Sequence, residues 1–293
     1  MASIQSGRRA NATTMRALFL IPGGNAQQLQ AFAAVAAVAE QLKAQVHVVC
    51  QAASLALWKL QPAVEKVVAF PFEEATLADW ANLLGTVREP DFQLCVNRAQ
   101  GRQVDLMLSM SHIPTRVALK GFSATAQVKP SANPWPNQDW EAFLKPVGVH
   151  LDAQSYRLAL PKAELQAAAK ALPAGDGPAL LLAPAGDGQD WPLDQWQALP
   201  QQIRAKLANL RVLEPTGAGT GALQRAALIA NADVVLASDP AVIEWALLLG
   251  LPLVALGRAA ETLPQRPGLQ ALGLPGQLKE LGIAEVMAAL GLG

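Results

Sequence analysis

The 293-residue sequence predicts an α/β protein of two doubly wound halves facing each other across a cleft. Three observations lead there. Short runs apolar throughout alternate with longer runs of helical period. The alternation occurs twice, on either side of a Pro- and Asn-rich stretch. The short runs are apolar on both faces, as in a parallel sheet covered by helices on each side. Composition excludes other classes. At 52% hydrophobic and 16% charged, the chain is too apolar and too weakly charged for a disordered protein. Lys+Arg is 23 and Asp+Glu is 23, so nothing general draws it to nucleic acid or anionic lipid.

In chain order, 1–14 is a polar arm, with Met15 an alternative initiator. A strand at 15–21 stops at Pro22-Gly23-Gly24. Helix follows at 27–43, strand at 46–50, a short helix at 55–60 and strand at 64–70. Then come helix 77–87, strand 92–96, helix 102–111 and strand 116–119. The segment 129–139 holds three prolines and two asparagines, and 140–148 reads as one helix broken at Pro146. The domain boundary falls between about 140 and 178, the halves being taken as 15–155 and 156–293. A helix at 162–172 precedes the second alternation: strand 179–183, helix 193–207, strand 210–214, helix 222–230, strand 234–238, helix 242–249, strand 253–256 and a closing helix at 278–290.

Cys50 and Cys95 lie in strand-like runs and read as reduced core thiols. Two cysteines make neither a disulfide framework nor a zinc site. His47, His112 and His150 have no partner at ligand spacing, and no metal site is expected. No apolar run reaches the roughly 18–20 residues of a membrane span. No secretory leader is read, so the default compartment is the cytoplasm, with a peripheral place at the inner membrane face as an extension.

Ligands in such sheets bind beyond the carboxyl ends of the strands. The candidate loops are therefore 22–26, 184–191, 215–221 and 238–244. Gly217-Ala-Gly219-Thr-Gly221-Ala222 fits G-x-G-x-x-A, with Asp239 after the next strand. The unit comes late in its half and Pro215 distorts its entry, so a Gly-rich loop without NAD is the preferred reading and no cofactor is expected. Trp191 and Trp196 flank a helix start and read as core, with Asp190 a candidate N-cap.

The order of these pieces resembles glycosyltransferase family 9, the heptosyltransferase family of GT-B fold, over nearly the whole chain from Met15. The strongest stretch is ALIANADVVLASDPAVIEWALLLGLPLVALG at 227–257, beside the family's pattern of A-D-L-V-V, D-[ST]-G-x-x-H and L-G-x-P-x-V-A-L-F-G. Gln189-Asp-Trp191-Pro192 and Trp196 resemble the family's K-x-W-P-x-x-x-[FW]. The resemblance implies transfer of a sugar from a nucleotide-diphosphate sugar to a glycan or lipid-linked acceptor, without metal. It places the nucleotide sugar near Gly23, Gly24, Pro184, Gly186, Gln189, Glu214, Thr216, Asp239, Ala241 and Glu244. The departures fall on the same site. Asn25 stands where the family has the acceptor's base, and an amide cannot take the proton, a loss of roughly 10²–10⁴ in rate. Gln189 replaces a lysine, Pro240 removes an N–H donor and Glu244 replaces the histidine. The rival expectation is therefore a catalytically inactive relative that binds a protein partner or serves as a scaffold.

Overall fold

The computed structural model describes residues 14–129, 131–215 and 221–293. The first sheet contains β1 (Arg16–Leu20), β2 (Gln45–Cys50), β3 (Val64–Ala69), β4 (Leu94–Asn97), β5 (Thr115–Ala118) and β6 (Ala126–Gln127). All its pairings are parallel, in the order β3-β2-β1-β4-β5-β6. The second contains β7 (Ala179–Ala183), β8 (Arg211–Leu213), β9 (Val234–Ala237), β10 (Leu253–Leu256) and β11 (Leu269–Leu272). It too is parallel, in the order β11-β10-β9-β7-β8. The order reverses at β1/β4 in one sheet and at β7/β9 in the other, which opens a crevice at each.

The helices are α1 (Asn25–Gln30), α2 (Phe32–Leu42), α3 (Leu55–Trp58), α4 (Leu77–Arg88) and α5 (Arg102–Met110) around the first sheet. The link carries α6 (Pro136–Asp139), α7 (Glu141–Leu144) and α8 (Lys162–Lys170). Around the second sheet lie α9 (Leu193–Lys206), α10 (Ala222–Ile229), α11 (Pro240–Leu249) and α12 (Ile283–Ala289).

Side-chain alternation sorts the core into layers. Leu18 and Leu20 of β1 pack with Trp80, Val104 and Leu108 from α4 and α5. Leu180 and Leu182 of β7 pack with Trp196, Leu199 and Val286 from α9 and α12. The opposite faces, Ala17 and Phe19 of β1 and Leu181 of β7, belong to one continuous core. It takes in Leu29 and Phe32 from the first half and Val242 and Trp245 from the second. The two halves thus share their inner layer.

The structure differs from the sequence expectations in several places. The helix expected at 27–43 is two, because the backbone turns at Ala31 (φ −84, ψ −11), and α1 leaves the first sheet to pack on α11. The 140–148 helix is α7 followed by a 3-10 turn, Lys145–Val147, ended by left-handed Gly148. The closing helix is a 3-10 turn, Leu278–Glu280, then α12, which starts after Gly282. Two strands were not anticipated, β6 because it is two residues long and β11 because its side chains are only part-buried. Pro200 sits inside α9 without ending it. Both cysteines are free and buried, and burial pushes each thiol up to about 12.

Candidate ligand cleft

In the first half, β1 runs into Pro22-Gly23-Gly24, where Gly23 has φ +93, a conformation that favours glycine. Gly24 caps α1 with no side-chain bond, and Asn25 is the first residue of that helix. The turn is pinned from below. The Gln28 amide is fully buried and donates to the carbonyls of Ile21 (2.9 Å) and Gly23 (3.0 Å). Its oxygen accepts from Trp58 Nε1 at 2.9 Å. Asn25 Oδ1 accepts from the buried Ser54 hydroxyl at 2.8 Å. One face of the Asn25 amide is therefore already engaged inside the half.

In the second half a cavity of about 620 Å³ opens at the carboxyl ends of β7, β8 and β9. Pro184, Glu214 and Asp239 line it, each from the loop after a different strand, together with Trp196, Arg225 and Val242. Three of the residues expected to hold a nucleotide sugar are thus brought together. A smaller hollow of about 180 Å³ holds Gln189 with Asp187, Asp190, Ser238 and Gly276. Its loop is tied down by Asp190. The Asp190 carboxylate accepts from Gly186 N (2.9 Å) and Trp191 N (2.7 Å). This corrects the capping expectation: α9 starts one residue after Pro192 with no side-chain cap, and Asp190 closes the preceding loop instead. Trp191 and Trp196 are buried and meet edge-on at 5.2 Å, as core residues do. Thr216 and Gly217 to Thr220 lie outside the described residues, so the G-x-G-x-x-A segment is placed only at Gly221 and Ala222.

The start of α11 is the natural anion site of such a fold. Here it is filled from within. Asp239 Oδ1 accepts from Ala241 N (2.7 Å) and Val242 N (3.1 Å), and Pro240 has no N–H to offer. Ala241 is thus bonded to Asp239. Glu244 does not line the cavity. It is fully buried, and its Oε1 accepts from Arg258 Nη1 at 2.7 Å and from Gln30 Nε2 at 3.0 Å. Arg258 is thereby committed to Glu244. Arg266 reaches the carbonyls of Leu247 and Leu251 at 3.5 Å, and burial lowers its basicity. Of the residues that matter here, Gln28, Ser54 and the Glu244–Arg258 pairing were missed by sequence reasoning. A polar residue beside Leu29, on the buried side of the first helix, was the only signal available for Gln28. Among the described residues no cluster of His, Cys, Asp and Glu could hold a metal ion.

Both sheets, their crevices and their shared helix layer can be compared with solved structures. The E. coli ADP-heptose LPS heptosyltransferase II superposes with a TM-score of 0.73 over 94% of this chain and 98% of its own, at 16% identity. The family 9 glycosyl transferase from Veillonella parvula superposes at 0.75, over 94% and 96%, at 9% identity. The fold is GT-B. The E. coli heptosyltransferase WaaC, solved with ADP-2-deoxy-2-fluoro heptose, gives 0.74 over 94% and 99%, at 14% identity. No family model matches the sequence, and no curated protein matches it. The GT-B fold is therefore shared at identities where the fold, and not the chemistry, is carried over. No helix among the described residues is long and apolar enough to cross a membrane.

Proposed function

We propose that the chain is a glycosyltransferase-type protein of the family 9 kind. Residues 156–293 bind a nucleotide-diphosphate sugar and residues 15–155 face a glycan or lipid-linked acceptor. The observation that carries this reading is the cavity of about 620 Å³ at the reversal point of the second sheet, with Pro184, Glu214 and Asp239 converging on it. Ligands of doubly wound folds occupy that place. Glu214 follows the second strand of its sheet, where a carboxylate serves ribose hydroxyls in dinucleotide folds. The E. coli heptosyltransferase WaaC supports the ligand class, since it was solved both with ADP and with ADP-2-deoxy-2-fluoro heptose.

A second reading, a binding protein that performs no transfer, is favoured by two observations. Asn25 offers an amide, already bonded to Ser54, where a base would be needed. The position the family fills with lysine is the uncharged Gln189, and Arg258 serves Glu244, which among the described residues leaves Arg225 as the cation on the cavity wall. The two readings separate in one experiment. Calorimetry and thermal shift with ADP, UDP, GDP, ADP-heptose and NAD measure binding, and release of the nucleoside diphosphate measures turnover. A ligand at 100 times its Kd stabilises the fold by about 2.7 kcal/mol. Binding with turnover supports the transferase, binding without turnover supports the second reading, and no nucleotide binding at millimolar concentration sinks the transferase and leaves an inactive relative that binds a protein partner or serves as a scaffold.

A further inference from the structure

The contact between the halves is built around a buried charge. Gln30 is the last residue of α1, which belongs to the first half by sequence and packs on α11 of the second. Glu244 lies in the middle of α11 with no exposed surface. Its Oε1 takes both the cross-half bond from Gln30 and the ion pair with Arg258. Arg258 is held in turn by Thr262, through Oγ1 at 3.1 Å and the backbone carbonyl at 3.3 Å. Among the described residues the Oε2 of Glu244 has no hydrogen-bond partner. A buried carboxylate with one oxygen unsatisfied is poor economy for stability, because well-packed apolar residues would do as well or better. Its distinctive property is positional: one oxygen fixes α1, α11 and the segment after β10 relative to one another.

A further bond points the same way: Gln61 of the first half donates to the Tyr156 hydroxyl at 2.8 Å. The apolar core runs unbroken from Phe32 to Trp245. Domains move relative to one another unless their interface is large and apolar, and here an apolar core continues across it.

We infer that Glu244 is an interlock between the halves, holding the cleft in one arrangement, so that the protein takes ligand into a preformed cavity without hinge closure. The inference concerns motion and does not depend on the ligand proposed above. The test is a distance measurement between spin labels on Ser109→Cys of α5 and Gln202→Cys of α9, both exposed. The native thiols do not compete, being buried and pushed up to about 12. The unmodified interlock should give one narrow distance distribution. Gln30→Ala removes the cross-half donor and leaves the ion pair intact. Glu244→Leu with Arg258→Met removes both bonds without leaving a lone charge. Each should add a second, longer population. A broad or two-peaked distribution in the protein with Gln30, Glu244 and Arg258 in place would overturn the inference. So would variants that fold and stay as narrow as it. If the double variant does not fold, Gln30→Ala alone decides.

Discussion

Asn25 and Glu244 show how a single side chain decides what a site can do. The Ser54 hydroxyl donates to Asn25 Oδ1. Asn25→Asp keeps that acceptor and adds a group able to take a proton. If a nucleotide sugar is bound, release of nucleoside diphosphate in the presence of acceptor should rise roughly 10²-fold or more. An unchanged rate would place the block elsewhere, with Gln189 the next position to restore as lysine. Glu244 makes the opposite case. Glu244→Ala leaves Arg258 without its counter-charge in a buried place and should cost about 3–5 kcal/mol in urea unfolding. The pair replaced together, Glu244→Leu with Arg258→Met, should recover most of that loss. A double variant as unstable as the single one would show that packing, and not the orphaned charge, sets the cost.

At the scale of the element, α11 is the most informative piece. It is apolar nearly all round, with seven buried residues from Val242 to Leu248, because it sits between the second sheet and α1. Its ends are specified locally. Asp239 caps the start, and left-handed Gly250 (φ +77) ends it against Arg157. Asp239→Ala should cost about 1 kcal/mol, typical of a lost cap, whereas Asp239→Asn should cost much less. Chemical denaturation of both variants checks the contrast. A nucleotide-binding assay on the same pair asks a separate question, because Asp239 also lines the cavity. Loss of binding in the stable asparagine variant would assign the carboxylate to the ligand as well as to the helix.

For the whole molecule, the buried titratable groups set a pH window for stability. Burial, ahead of the opposing pull of Glu65, lowers the pKa of His47 from 6.5, so the folded state holds it neutral. Stability from this group is present above pH 6.5 and is lost as pH falls through the lowered value. Burial raises both thiols from 9.0 to about 12. Their contribution is full below pH 9.0 and is lost as pH rises towards 12. The urea midpoint should therefore plateau between about pH 7 and 9 and fall on both sides. A midpoint that keeps climbing above pH 9.0 would contradict the burial of Cys50 and Cys95.

The sequence by itself determined the two parallel sheets and nearly all the helices, because strands buried on both faces must be apolar throughout and helices that cover them must be periodic. It also determined which loops end the strands, hence where Pro184, Glu214 and Asp239 would gather. Expectations failed where the local signal was weak or misleading. β6 and β11 are short or part-exposed, and Ala31 carries no breaker although the helix turns there. Only the tertiary structure decided what the polar residues do. In the sequence Glu244 is a substitution that spoils an anion site, while Arg258 and Gln30 carry no local signal. In the fold they form one buried junction, 214 positions apart in the case of Gln30 and Glu244. Apolar periodicity is written over neighbouring residues and survives reading in one dimension. A hydrogen bond between distant side chains depends on how two finished halves are set against each other, and no local pattern encodes it.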